Sequence, residues 1–410
     1  MNHRQELIAP AGDEDSLLAA LRYGADAVYL GAKSFGMRAG AVNFSPDDLI
    51  SAVELAHGYG AKIYLACNTL PRGRELDELP EFIRFAARAK VDALIIADLG
   101  VLALAKRIAP QLACHVSTQF GVVNYLTANE LYNLGARQIV LARELSLEEI
   151  AEIREKTPAQ LRLEAFVHGA MCVSVSGRCV LSNYMTGRDA NRGECAQPCR
   201  WSYALMEEKR PGQYFPVFEQ GGYSYILNAQ DLCMIGHLDK LSGAGVDCFK
   251  IEGRAKSAYY VAVITGAYRK ALDILAQNGP GYPLPEWLLR EVEKISHRTY
   301  STGFYLKDNP PCQDRQRSYN RTWNLVATVD GCENGYILCT ARNRFSRGDI
   351  LEAVAPHSPP VSFAVDHMLD EDGQTITTSR HPMMKIRIKS DLRLPAGAML
   401  RREEDQVDRG

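Results

Sequence analysis

No stretch of about eighteen consecutive apolar residues occurs anywhere in this chain, which argues against a membrane-spanning helix. Charge of one sign is also lacking. Lys and Arg total 47 against 49 Asp and Glu, for a net charge of −2, so no broad basic field would draw nucleic acid or an anionic membrane by default. A local arginine-rich face remains open. The start, Met1-Asn-His-Arg-Gln-Glu-Leu-Ile-Ala-Pro10, lacks the apolar stretch of a signal peptide, so a cytoplasmic location with reduced thiols is expected. The odd total of 11 cysteines agrees with that. Hydrolytic signatures are missing too. There is no His-Glu-x-x-His helix, no Gly-x-Ser-x-Gly elbow and no evident nucleophile–base pair.

What the chain does have is a quartet of cysteines within 28 residues, Cys172-x6-Cys179-x15-Cys195-x3-Cys199. Four convergent thiolates suit a tetrahedral zinc or a cubane iron–sulfur cluster. The spacing is not the paired Cys-x2-Cys of zinc ribbons. Apolar neighbours (Met171, Val173, Val180, Leu181) would shield a redox centre, which zinc does not need, and this favours a cluster. The remaining cysteines, Cys233 among them, read as small buried hydrophobes.

Short apolar strands alternate with helical stretches through the first two-thirds of the chain. Examples are Ala27–Leu30, Ala61–Ala66, Ala93–Ala97, Gln138–Leu141 and Leu163–Val167. Ser45-Pro46 and the capping box Ser146-Leu-Glu-Glu149 mark helix starts. A helix-exit phrase recurs at Gly24-Ala-Asp, Val91-Asp, Gly135-Ala-Arg and Gly243-Ala-Gly-Val-Asp. Seven strands counted from Leu7, plus an eighth at Cys248–Ile251, predict a (β/α)8 barrel. A doubly wound sheet would want a glycine-rich phosphate turn near the start, and there is none.

The expected organisation is a barrel over 1–280, interrupted between strands seven and eight by an insertion, 168–245, that carries the cysteines. A helical linker at 281–321, a small all-β, barrel-like domain at 322–403 and a charged tail at 404–410 complete it. An insertion at that point leaves from the C-terminal face of the barrel, where such folds keep their active sites.

Polar residues at strand ends would face that mouth: Lys33, Asn68, Asp98, Ser117, Gln119, Arg143, Glu144, His168, Glu252 and Arg254. Each also has an ordinary reading as a helix cap or salt-bridge partner. Glu252-Gly-Arg254 stands out because a glycine between two charges lets backbone approach a ligand. Arg143, at the end of an apolar strand, suits bidentate capture of a carboxylate or phosphate. Arg38 lies in a glycine-containing loop that could close over a small substrate, and His168 competes with the reading of a packed histidine. Arg178, Arg188, Arg192, Arg200, Trp201, Arg254 and Lys256 are candidates for phosphate contacts and base stacking.

At Leu7-Ile-Ala-Pro-Ala-Gly12, Gly24-Ala-Asp-Ala-Val-Tyr29, the cysteine quartet and Lys250-Ile-Glu-Gly-Arg254, the chain resembles the collagenase-like, unclassified peptidase family thirty-two over nearly its whole length. Despite the family's label, the resemblance is to members that modify tRNA. It implies a [4Fe-4S] cluster on Cys172, Cys179, Cys195 and Cys199, supplied by the iron–sulfur assembly machinery. It also implies oxygen-independent conversion of wobble uridine to 5-hydroxyuridine, with prephenate as co-substrate. Arg143 or Arg254 could then hold prephenate's carboxylates. Other readings within the resemblance are a collagenase-like peptidase, a hydroxylation component of ubiquinone biosynthesis, and a non-catalytic iron–sulfur RNA-binding accessory. A thiol peptidase would need a free activated cysteine, and the best cysteines are committed to metal.

Overall fold

In a computed structural model, residues 5–36, 42–171, 181–188, 190, 193–198, 201, 205–206, 214–215, 230–306 and 320–404 are described. Seven parallel strands come first: β1 (Glu6–Pro10), β2 (Ala27–Gly31), β3 (Lys62–Cys67), β4 (Ala93–Ile96), β5 (Ala113–Val116), β6 (Gln138–Val140) and β7 (Arg162–Ala170). Helices α1 (Glu14–Arg22), α2 (Pro46–Gly58), α3 (Glu75–Arg88), α4 (Leu99–Ile108), α5 (Tyr125–Asn133) and α6 (Leu147–Glu155) connect them in turn. The insertion after β7 contributes α7 (Leu181–Thr186), β8 (Leu205–Met206), β9 (Tyr214–Phe215), β10 (Asp231–Cys233) and α8 (Leu238–Gly243). The eighth barrel strand, β11 (Cys248–Ile251), then pairs in parallel with both β1 and β7, and the sheet closes on itself. The chain is a (β/α)8 barrel, as its strand count predicts.

Period-two alternation sorts the strand side chains into two cores. Leu7, Val28, Leu30, Ile63, Leu65, Leu94 and Ile96 point outward and join one large cluster with the helices. Ile8, Ala27, Tyr29, Tyr64, Ala93, Ile95 and Cys248 form a separate cluster in the lumen.

The recurring helix-exit phrase has a physical basis. After α1 and α5, Gly24 and Gly135 adopt φ of +96° and +103°, the left-handed turn that ends a helix, and Lys90 does the same after α3 at +59°. The aspartate that follows stitches the next strand to its neighbour. Asp26, Asp92 and Asp247 accept from the backbone N–H of Leu7, Ile63 and Leu163 at 2.8, 2.7 and 2.8 Å. Each satisfies a strand-end donor that the ladder would leave open. The expected capping box of Ser146 with Glu149 forms, and the Ser45 N-cap proves to be a second box, with Asp48.

Helix α9 (Ala258–Asn278) completes the barrel, followed by α10 (Glu286–Glu291) and β12 (Tyr300–Ser301), which pairs with β10. An eight-stranded antiparallel sheet follows: β13 (Trp323–Glu333), β14 (Tyr336–Ala341), β15 (Ile350–Val354), β16 (Val361–Ala364), β17 (Met368–Leu369), β18 (Thr375–Ile376), β19 (Lys385–Lys389) and β20 (Met399–Glu403). It has its own core around Val326, Ile337, Phe345, Ile388 and Leu400. The domain is docked on the barrel by a buried ionic network. Arg401 reaches Glu291 at 2.7 Å and Glu352 at 3.3 Å, and Lys294 reaches Glu352 at 2.8 Å. Tyr23, the residue that follows α1, donates to the carbonyl of Val354 at 2.9 Å.

Candidate functional site at the barrel mouth

The lumen is charged in layers. At its lower rim Glu6 accepts from Lys62 at 2.9 Å, from Arg162 at 3.0 Å and from the Tyr64 hydroxyl. Burial opposes its ionisation, yet Arg162, Tyr64 and Lys62 together hold the carboxyl below the usual range. His115 lies edge-on to Tyr64, 4.5 Å between ring centroids, and burial pushes it down to about 3, so it is neutral.

Above this layer Lys250 of β11 meets Glu164 of β7 at 2.7 Å, and both side chains are almost wholly enclosed. Gln138 donates to the other Glu164 oxygen, and Cys248 donates to Gln138 Oε1 at 3.4 Å. The Lys250 ammonium also lies 4.4 Å from the centre of the Tyr29 ring, a cation–π contact. A buried pair of this kind persists only when its remaining polar atoms are satisfied.

The upper layer is the mouth. Tyr29 reaches up to the Ile251 carbonyl at 3.2 Å and to Glu252 at 3.3 Å. Arg143 and Arg254 arise from the strands that flank β7 on either side. Arg143 lies over the Phe166 ring, 4.4 Å from its centre, and donates from Nη1 to the Ala170 carbonyl at 2.7 Å. Its Nε is buried and makes no hydrogen bond in the structure. Arg254, 3 % exposed, packs so closely on β2 that a Cβ on Gly31 would sit 2.6 Å from its Nη1. A Cβ at position 31 would fit only if that guanidinium moved aside, so Gly31 gives Arg254 its room. At Gly253 an added Cβ would stand 2.5 Å from the ring of Tyr260, which is buried and tied by its hydroxyl to the Glu252 carbonyl.

Other strand-end residues have structural duties. Asp98 caps α4 by accepting from Val101 at 3.0 Å, and Ser117 caps the following turn through Gln119. Lys33 is exposed; Asn68, Gln119, Glu144 and Glu252 are half-buried. His168 sits on the outer side of β7, packed edge-on or tilted against Tyr260, Tyr268 and Tyr300, with Nδ1 3.2 Å from the Tyr268 hydroxyl. That is the packed histidine, not a group at the mouth. Arg38 lies outside the described residues, as do Arg178, Arg192 and Arg200. Arg188 is exposed and Trp201 is 40 % exposed.

Of the cysteine quartet, Cys172, Cys179 and Cys199 lie outside the described residues, and Cys195 is described. Its half-buried sulfur accepts from the backbone N–H of Gln197 at 3.3 Å, in a turn held to α7 by the bond from Ala196 N to Ser182 Oγ at 3.0 Å. An N–H aimed at sulfur is the kind of supporting bond that a metal-bound cysteine accepts. Five thiols away from the quartet are held in the protonated form. Burial pushes Cys67 and Cys339 up to about 12 and Cys233 to about 11, and raises Cys114 and Cys248 as well. None of these five is an activated nucleophile.

Sequence reasoning about strand ends missed the Lys250–Glu164 pair and its partners Gln138, Tyr29 and Phe166. The available signal was alternation. A lysine and a glutamate in otherwise apolar barrel strands can avoid the helix-covered face only by pointing inward.

A closed barrel with a cationic mouth and an antiparallel C-terminal domain defines the class. The chain belongs to peptidase family U32, matching the family's main domain over residues 12–315 and its C-terminal domain over 321–401. It is 33 % identical over 404 residues to tRNA hydroxylation protein P1 of Bacillus subtilis, covering 97 % of this chain and 95 % of that one. It is 33 % identical over 416 residues to tRNA hydroxylation protein P of Escherichia coli, covering 91 % of each. It is also 41 % identical over 278 residues to the 23S rRNA 5-hydroxycytidine C2501 synthase of Escherichia coli, covering 68 % of this chain and 40 % of that longer protein. Among the described residues no helix is long and apolar enough to cross a membrane.

Proposed function

We propose that this chain hydroxylates RNA at a pyrimidine held over the barrel mouth. The specific reaction is conversion of a tRNA wobble uridine to 5-hydroxyuridine, with prephenate as co-substrate and a four-iron cluster on Cys172, Cys179, Cys195 and Cys199. Near-full-length likeness to proteins named for tRNA hydroxylation supports the substrate class. The likeness to a 5-hydroxycytidine synthase supports chemistry at C5 of a pyrimidine.

Arg143 is the observation that carries the site. Its guanidinium is fixed on Phe166 and on the carbonyl of Ala170, two residues before Cys172, while its buried Nε–H lacks an acceptor. A carboxylate of the co-substrate would supply that acceptor beside the cysteine segment, and a charge-assisted bond in a half-buried site is strong. Arg254, on the far side of β7, offers the second cation. Lys250 beneath them raises the positive potential of the mouth, although Glu164 compensates most of its charge. When bound, the cluster would supply electron transfer at this position. The enclosed lumen below keeps water from entering behind the substrate.

Protein purified without air and incubated with tRNA lacking the modification, plus prephenate, tests this reading. The expected result is about four irons per chain and a uridine heavier by one oxygen atom. Stoichiometric zinc without iron would overturn the cofactor, and unchanged tRNA in the presence of an intact cluster would overturn the reaction.

A further inference from the structure

The C-terminal domain carries a second cationic feature, remote in sequence from the mouth. The loop between β14 and β15 reads Arg342-Asn-Arg344-Phe-Ser-Arg347-Gly-Asp349, with three arginines in six residues. It is rigidly built. Phe345 is fully buried, and its N–H donates to Ser379 Oγ at 2.9 Å while its carbonyl accepts from Ser379 N at 2.9 Å. Arg347 N donates to the Thr377 carbonyl at 2.8 Å, and Gly348 N to the Val365 carbonyl at 2.9 Å. Arg344 and Arg347 are thus held out to solvent on either side of a buried plug. Both line an open cleft of about 580 Å³, with Ser346, Gly348, Val365, Asp366, Thr377 and Thr378.

The loop's own carboxylate is already engaged, since Asp349 accepts from Ser346 N at 2.9 Å and from Arg402. Among the described residues neither Arg344 nor Arg347 has an ion-pair or hydrogen-bond partner for its side chain. Asp366 is the one carboxylate on the cleft wall, so two guanidiniums against it leave a net positive charge. The lining has no aromatic ring, and Val365 is its one large apolar side chain. Such a cleft offers a base nothing to stack on and a small organic ligand no apolar floor. It offers rigid guanidinium forks, which match phosphate.

We infer that this cleft clamps the phosphate backbone of the RNA substrate, anchoring it away from the barrel without reading its sequence. The inference rests on the RNA reading above. On that reading the barrel handles one nucleotide, and the cleft holds the remainder of the molecule.

The test is binding of tRNA to the full chain, followed by fluorescence anisotropy over a series of salt concentrations. Arg344→Ala and Arg347→Ala should each weaken binding and make the slope of log affinity against log salt shallower by roughly 0.7–0.9, one phosphate contact apiece. Arg344→Lys and Arg347→Lys should keep the wild-type slope, because lysine preserves the charge. Loss of affinity should be equal for tRNAs of different sequence. Wild-type binding with an unchanged slope in both alanine variants would overturn the clamp and leave the RNA reading standing. No binding by the wild type at low salt would overturn the RNA reading and the clamp together.

Discussion

Arg143 donates to the carbonyl of Ala170 at 2.7 Å, and through that bond the end of β6 is tied to the segment that enters the cysteine quartet. The mouth and the insertion that carries the cysteines are therefore mechanically linked by a side chain that still has a donor to spare. Replacing Arg143 with Gln should keep a polar group over Phe166 and remove the cation. Hydroxylation efficiency, read as kcat/KM for the co-substrate, should fall about 10- to 150-fold, the equivalent of roughly 1.5–3 kcal/mol for a charged hydrogen bond. Iron content and melting temperature should match the wild type. Parallel loss of iron would make Arg143 a fastener of the insertion rather than a ligand for substrate.

Inside the barrel, Lys250 and Glu164 leave each other exposed to a severe test. Lys250→Met strands a buried carboxylate, and a single broken pair of this type costs about 3–5 kcal/mol in unfolding free energy. The double variant Lys250→Met, Glu164→Gln should recover much of that loss, giving a strong coupling term in a double-mutant cycle. Urea unfolding measures it. Additive effects of the two changes would mean that the pair is not coupled in the folded protein.

Acid sensitivity should have a histidine component. Burial, with His297 and Lys256 nearby, pushes His168 down to about 3. Its unfolded value is about 6.5, so below that pH the unfolded chain takes up a proton that the fold refuses. The stabilising contribution is complete above about pH 6.5 and is lost progressively as pH falls towards the folded value. In His168→Asn the dependence of unfolding free energy on pH between about 6 and 4 should be shallower, by up to about 1.4 kcal/mol per pH unit. An identical pH profile would show that His168 protonates in place.

Much of the architecture was legible because barrel strands and their helices impose short-range periods. Leu7, Val28 and Ile63 alternate with Ile8, Ala27 and Tyr64, and the Gly24 and Gly135 turns announce helix ends. The strand β5 is less evident, since His115 interrupts its apolar run to fill the lumen beside Tyr64. The role of the helix-exit aspartates was hidden as well, because Asp26 acts on Leu7, nineteen residues away. At the site, Arg143 and Arg254 could be found from their strand-end positions, whereas Asp98 and Ser117 share that position and serve as caps. His168 was ambiguous until Tyr268 and Tyr300 were seen around it. A bulge between Lys250 and Ile251 brings His168 opposite Ile251, and no local sequence signal marks it.

Hydrolysed tRNA from cells lacking this chain, analysed by nucleoside mass spectrometry, tests the central claim most directly. The account predicts that 5-hydroxyuridine and its derivatives disappear from wobble positions. Wild-type protein should restore them, and Cys195→Ala or Arg143→Gln protein should not. An unchanged nucleoside profile in the deletion strain, with no other protein of the family present, would contradict it.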